Sequence, residues 1–286
     1  MLKDKNLYLV GGFVRDEIMG RKSIDIDYCY EGDAIEFAQK SGFNIIKTNP
    51  DFHTVKILLG ENEIDIASTR LENYPRKGHL PKITQIGVPI EEDLKRRDFS
   101  INAIAKRTSD GKIIDIFDGI CDIKKKTIKI LHDKSFIDDP TRIIRGLKFS
   151  VRFGFELDEK TQSLQKEYLA NVNYDMSYHR LKNELVDAFN LNNHLVFDKF
   201  ISQKMYNLLA KKQTEPEINS NIIEQELKKY NGELCWLIYL SFFDISNLSL
   251  TKSERKVIEW AKKIETEDIS QNTPLESILI NKLKRI

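Results

Sequence analysis

Residues Asn6–Tyr28, NLYLVGGFVRDEIMGRKSIDIDY, decide how the rest of the chain reads. Leu7–Val10 is a short apolar run closed by Gly11-Gly12, the pattern of a buried strand ending in a tight turn. Phe13–Met19 then has helical character, with Gly20 as its stop. A second strand is expected over Ile24-Asp25-Ile26-Asp27, where alternation sends both aspartates to one face and both isoleucines to the other.

Two carboxylates on one strand face repel each other unless a cation neutralises them. Magnesium, a hard cation, is held by one or two carboxylates together with substrate phosphates. The two glycines let backbone approach a phosphate closely, and the start of a helix attracts anions. Glycine turn, helix start and paired aspartates together describe a site for a metal-bound nucleoside triphosphate. An isolated D-x-D is more often a surface strand with solvated aspartates, but here it follows GGFVRD. With those residues quoted, GGFVRD plus DID resembles the class II tRNA nucleotidyltransferase and bacterial poly(A) polymerase family.

The bulk numbers set bounds. A chain of 286 residues buries a substantial core, and 41% hydrophobic with 31% charged content fits a soluble globular protein. The 45 basic and 44 acidic residues nearly cancel, so any nucleic-acid surface is a local patch. Cys29, Cys121 and Cys235 lack C-x-x-C spacing, which offers neither a zinc signature nor a disulfide framework and suits a reducing cytoplasm. The start, MLKDKNLYLVGG, lacks a signal-peptide pattern, and no run approaches the ~20 apolar residues of a membrane helix. A soluble cytoplasmic protein without membrane or obligatory protein partner is expected.

Further along, a helix is expected over Ala34–Ser41 and strands over Thr54–Leu59 and Glu63–Ala67, joined by a hairpin at Gly60-Glu61-Asn62. Asp65 lies between Ile64 and Ile66 and points away from their face. It is either a solvent-facing aspartate or a third carboxylate that helps position the metal or the attacking hydroxyl; the family has an acidic residue at the matching place. Leu71–Leu80, with Pro75, Gly78 and several charges, is expected to be a mobile loop. Glu91–Ala105, EEDLKRRDFSINAIA, is charged in front and apolar at helical spacing behind. Arg96 and Arg97 beside Asp98 could form a salt-bridged helix face. Yet RRDFSINAIA also closely resembles the family's RRDFTINAMA motif. That resemblance implies arginine contacts to triphosphate and ribose, at Arg96, Arg97, Asp98 and Asn102. The planar fork of arginine grips phosphate oxygens in pairs. Strands are expected over Lys112–Phe117 and Thr127–Leu131, and the His132-Asp133 pair is incidental because His53, His79, His179 and His194 lack ligand spacing.

From there the chain turns helical. In Phe136–Phe155, FIDDPTRIIRGLKFSVRFGF, Asp139-Pro140 forms an N-cap with proline at the first helical position. Asp138 and Arg142 are four apart, and Arg142 and Arg145 three apart, so all can share one face. That is either a capped helix with an exposed ion pair or a base-reading edge, since carboxylate and arginine together read cytosine and adenine. The family carries E-D-x-x-R here as a protein template. The resemblance thus assigns nucleotide selection to Asp138, Asp139 and Arg142, followed by Arg145, with aspartate replacing glutamate at the first place. Leu157–Leu169 and Tyr178–Phe189 read as amphipathic helices, with Arg180 and Glu184 as an i,i+4 pair. Lys211–Ser220 reads as a linker. Trp236, Tyr239, Phe242 and Phe243 read as core, and the basic ending NKLKRI as a solvated tail.

The expected fold is α+β: a nucleotidyltransferase head with a small mixed β-sheet (1–132), an all-helical neck with the nucleotide-selecting helix (133–190), and a short helical, RNA-binding body (191–286) whose tail domain is reduced or absent. The resemblance implies template-independent addition of CMP and AMP from CTP and ATP to the tRNA 3′ end, releasing pyrophosphate and using Mg2+. It places Asp25 and Asp27 as metal ligands and Gly11, Gly12, Arg15 and Arg97 on the triphosphate. Narrower relatives add only A, only CC, or a poly(A) tail. A non-catalytic RNA-binding protein has no need of paired carboxylates that repel RNA, and an HD-type hydrolase lacks its histidines.

Overall fold

The opening apolar run forms strand β1 (Leu7–Val10), buried along its whole length. The structure, a computed structural model, describes every residue except Met1, Ile24, Asn192, Asn193, Lys229, 265–272 and Ile286. After β1 the chain turns through Gly11 into helix α1 (Gly12–Ile18), and Gly20, at φ 67°, ends it as expected. Strand β2 (Asp27–Tyr30) begins where the expected second strand was to end; Asp25 precedes it, and Ile24 lies outside the described residues. The physical reason is burial. Tyr28 and Cys29 are almost wholly enclosed and pair with Leu9 and Tyr8 of β1, whereas Asp25 and Asp27 stay at the surface.

Helix α2 (Ala34–Lys40) is capped by the Asp33 carboxylate, which accepts from the backbone of Ile35 and Glu36. Strands β3 (Asn44–Asn49), β4 (Thr54–Leu59) and β5 (Asn62–Ser68) follow. The β4–β5 hairpin was legible; β3 was not, because it is an edge strand exposed at most positions and carries no apolar alternation. The expected loop over Leu71–Leu80 is instead a two-stranded ribbon around a turn. Strand β6 (Arg70–Asn73) pairs antiparallel with β7 (Lys82–Ile86), which leaves only residues 74–81 as connection.

Helix α3 (Ile90–Lys95) leads to strands β8 (Ala105–Arg107) and β9 (Ile113–Ile114). The main sheet runs β3-β4-β5-β2-β1-β8-β9. It is mixed as expected: β2 and β5 are parallel and every other pair is antiparallel. One face buries Tyr8, Val10, Cys29, Ala105 and Ile114 against Ile90 and Leu94 of α3, about 25 cal/mol gained per Å² of apolar surface removed from water.

The strand expected over Lys112–Phe117 stops at Ile114, because the Asp115 carboxylate accepts from the backbone N–H groups of Gly119 and Ile120 and starts helix α4 (Gly119–Lys124). Gly119 sits so close to the backbone that a Cβ there would lie 2.2 Å from the Ser100 carbonyl oxygen. Gly119→Ala therefore forces backbone apart and is expected to cost about 3 kcal/mol or more, read as a fall in the urea midpoint. Of Thr127–Leu131, only β10 (Thr127–Ile128) is a strand; it pairs parallel with β11 (Glu156–Leu157). Helix α5 is Ser135–Asp138.

By its contacts the chain divides into one unit of residues 1–138 with 155–161 and a second of 139–154 with 162–286. The second unit holds helix α6 (Thr141–Phe153), most of α7 (Glu159–Ala170), α8 (Tyr178–Phe189), α9 (His194–Ser202), α10 (Ser220–Leu227), α11 (Cys235–Leu240), α12 (Lys252–Lys263) and α13 (Leu275–Lys284). Helix α6 packs on α8 and α9. The aromatic residues expected in the core are there. Trp236 and Tyr239 are almost fully enclosed, and Tyr239 packs 5.5 Å from Phe189 and 5.4 Å from Phe197 between ring centroids. The 211–219 stretch has no regular structure, as its composition implied, but Gln213 ties it to the backbone of Asp244 at both its amide atoms.

Candidate active site

The first unit gathers its polar residues where β1 ends and β2 begins. Asp27 on β2 and Asp65 on β5 are register partners in the parallel pair, so their side chains project side by side from one sheet face. Ile64 and Ile66 are buried on the opposite face, as the alternation at Asp65 required. Asp27 keeps solvent access, yet burial, the neighbouring charge of Asp65 and, further down, Asp25 push its carboxyl above the usual range, against the pull of Arg97. Like-charged carboxylates held this way call for a cation. Lys56 supplies part of one, 3.4 Å from Asp65 and 3.2 Å from Glu63.

Among the described residues, no group of three or more His, Cys, Asp or Glu side chains could hold a metal ion unaided. A magnesium site does not need one, because substrate phosphates complete its oxygen shell. The donor chemistry of Asp25 and Asp27, two carboxylates close in sequence at the start of β2, fits such an ion.

The glycine turn lies between two guanidinium groups. Gly11 adopts φ 64° and ψ −129°, and a Cβ there would come within 3.3 Å of Arg97 Nη1; one on Gly12 would come within 3.5 Å of Arg15 Nη2. The two arginines are held differently. Arg15 is buried and donates from Nε to Asp16 (2.9 Å) and from Nη1 to Asn102 Oδ1 (2.6 Å); Asn102 Nδ2 in turn donates to Asp98 (3.0 Å), which also accepts from its neighbour's backbone at Phe99. Arg15, Asn102 and Asp98 are thus one hydrogen-bonded chain behind the turn, and Asp16 is a member that went unpredicted.

Arg97 donates from Nη2 to Asp93 (3.0 Å) and to the Cys29 thiol (3.4 Å), while its Nε is buried with no hydrogen-bond partner among the described residues. The carboxylate that carries both arginines of the RRDF motif is Asp93, not the expected neighbour Asp98. Asp93 is fully buried and accepts from Arg96 Nε (2.9 Å), Arg97 and the backbone N–H of Arg70 (3.0 Å). Burial alone would raise its carboxyl; Arg97 and Arg96 outweigh that and hold it below the usual range. Burial likewise works against the charge of Arg97, and Asp93 more than offsets it. Arg96 also reaches Glu72 (3.2 Å), which Arg70 grips at 2.7 Å, so Arg96 belongs to an internal network. Cys29 is pushed up to about 12 by burial and by Asp93, and stays a thiol.

The residues expected to read the base are arranged differently from the single helix face that the spacing suggested. The chain breaks between α5 and α6, so Asp138 ends α5 while Arg142 belongs to α6. In the first unit, Asp138 pairs with Lys77 (2.5 Å), and its carbonyl accepts from the Gly78 N–H. In the second, Asp139 caps α6 as foreseen: Oδ1 accepts from the Thr141 hydroxyl (2.6 Å) and backbone (3.2 Å). Its Oδ2 accepts from Arg180 (2.5 Å). Glu184, one turn beyond Arg180 on α8, takes Arg145 (3.1 Å) and Lys148 (2.9 Å) from α6. Arg142 is buried, and Arg145 also covers the Phe149 ring.

The family described as "Poly A polymerase head domain" matches residues 7–129, the segment that carries the glycine turn, the aspartates and the RRDF arginines. Over that segment the chain is similar to this family. Over 167 residues the sequence is 41% identical to the A-adding tRNA nucleotidyltransferase of Aquifex aeolicus, covering 56% of this chain and 20% of that protein. Over 191 residues it is 41% identical to the enzyme of the same description from Halalkalibacterium halodurans, covering 62% and 44%. The solved apo form II of a CCA-adding enzyme superimposes on 98% of this chain and 75% of its own, with 27% identity and a TM-score of 0.81. The chain spans less than half the length of either curated relative. Among its described residues, no helix is long and apolar enough to cross a membrane.

Proposed function

We propose that the chain is a template-independent nucleotidyltransferase that adds nucleotides to the 3′ end of tRNA, using Mg2+ with ATP and CTP, in the cytoplasm. The observation that carries this is the side-by-side placement of Asp27 and Asp65 at register. RNA binding alone gives no reason to hold carboxylates together near an RNA end.

Asp25 and Asp27 would hold the divalent ion, which when bound supplies the positive charge that lets carboxylates and triphosphate share one place. Arg97, fixed beside the Gly11 turn, grips phosphate oxygens. The Arg15–Asn102–Asp98 chain keeps the turn in shape, and Asp65 orients the terminal hydroxyl of the tRNA. That hydroxyl gives up its proton to solvent, its oxygen forms a bond to the α-phosphorus, the bond from the α-phosphorus to the oxygen bridging to the β-phosphate breaks, and pyrophosphate leaves. Asp139 and Arg142 select the base, with Asp138 and Arg145 beside them in sequence. Asp139 does so with Arg180 and Thr141 fixing its carboxylate, so its orientation is set before any nucleotide arrives.

A second reading is favoured by the comparisons: both curated relatives at 41% identity are A-adding enzymes, whereas the structural neighbour at 27% adds CCA. Transcripts of tRNA ending before CCA, after C, and after CC, given ATP, CTP or both, separate the two. Extension of all three to CCA establishes the full enzyme. Extension by A of the CC substrate alone establishes the A-adding enzyme, and no extension of any refutes the catalytic reading.

A further inference from the structure

Asp93 bonds both arginines of the RRDF motif, and it is the group that decides where Arg97 stands. We propose that Asp93 is a positioning residue for nucleotide binding, which holds Arg97 against the Gly11 turn with Nη1 left for a triphosphate oxygen. This rests on the nucleotidyltransferase function proposed above.

The arrangement of donors carries the inference. Arg97 commits Nη2 to Asp93 and Cys29 and keeps Nη1 beside Gly11. Nη1, held 3.3 Å from where a Cβ on Gly11 would lie, is the nitrogen that a phosphate oxygen approaching the turn would meet.

Asp93 needs its full charge for the task. Its Oδ1 serves Arg96 and the Arg70 N–H, and its Oδ2 serves Arg97 and the Cys29 thiol, so both oxygens face donors only. An amide of the same shape would turn an NH2 group toward those donors and release one arginine. Because Arg70 opens β6, the same carboxylate also joins that ribbon to the phosphate-binding arginine.

The test measures ATP and tRNA affinities separately, by calorimetry, for the wild type, Asp93→Asn, Arg97→Ala and the double variant. Asp93→Asn is expected to weaken ATP about tenfold or more, with tRNA affinity unchanged and KM for ATP moving more than kcat. The double variant should bind ATP no worse than Arg97→Ala, because both changes remove one interaction. Unchanged ATP affinity in folded Asp93→Asn, additive losses in the double variant, or equal losses for ATP and tRNA would each overturn the proposal. If Asp93→Asn does not fold, Asp93→Glu keeps the charge and displaces Arg97 by one methylene; it should weaken ATP alone, and wild-type affinity there overturns the proposal. A wild type that binds no ATP overturns the nucleotidyltransferase reading and this one with it. A wild type that binds ATP beside an unaffected Asp93→Asn overturns only this one.

Discussion

Asp27→Asn is expected to abolish nucleotide addition while leaving the head folded and, without metal, more stable than the wild type. The loss follows from the ligand role proposed for Asp27. Several kcal/mol of charge stabilisation go with it, and each ~1.4 kcal/mol is a factor of ten, so transfer should fall about a thousandfold or more. The gain in stability follows from the raised carboxyl. Burial and Asp65 disfavour the charged form of Asp27 in the folded protein, so at neutral pH its ionisation opposes folding. Asparagine removes that opposition. The sign is testable by pH: the folded-state carboxyl is raised, so the penalty is full above it and fades as pH falls through it toward the ordinary aspartate range. Asp27→Asn should therefore melt above the wild type at neutral pH, with the gap closing in acid and closing also when magnesium is added to the wild type. Retained transfer contradicts the ligand role, and a lower melting temperature contradicts the electrostatic account.

The second large effect is expected at Gly11. Its φ of 64° with ψ of −129° lies where a side chain is strained, at a cost of about 1–3 kcal/mol. The new methyl also meets Arg97 Nη1 at 3.3 Å. That arginine is anchored at Nη2 by Asp93 and cannot retreat without breaking the bond. Gly11→Ala should thus lose ATP affinity about tenfold or more beyond what its stability loss explains, seen as a raised KM for ATP in protein shown by its melt to be folded. Gly20→Ala is the control. It has the same sign of φ but nothing within 4 Å of its Cβ, so it should lose stability and keep ATP affinity. Equal behaviour of the two variants would remove Gly11 from the phosphate site.

Much of the first unit was legible because its signals are local. Leu7–Val10, the Gly11-Gly12 turn and the β4–β5 hairpin declare themselves through apolar runs bounded by glycine. The β6–β7 ribbon did not, since Arg70, Glu72, Lys82 and Gln85 put charged and polar side chains where apolar alternation would mark a strand, and Pro75 and Gly78 advertise only the turn between them. Asp93 was missed for another reason. Within EEDLKRRD it looks like one more charge on a solvated helix, and only folding brings Cys29 and Arg70, distant in sequence, onto its oxygens. The helix break after Asp138 was hidden because Asp139-Pro140 reads equally as the cap of a new helix and as the first turn of one already under way.

The most direct test of a metal–nucleotide site on the β2–β5 carboxylates is Mn2+ uptake, followed by electron paramagnetic resonance in the presence of a non-hydrolysable ATP analogue. The wild type should take up an ion that Asp25→Asn and Asp27→Asn do not, with binding weakened again when the analogue is left out. Equal uptake by all three proteins would place the metal elsewhere and contradict the account at its centre.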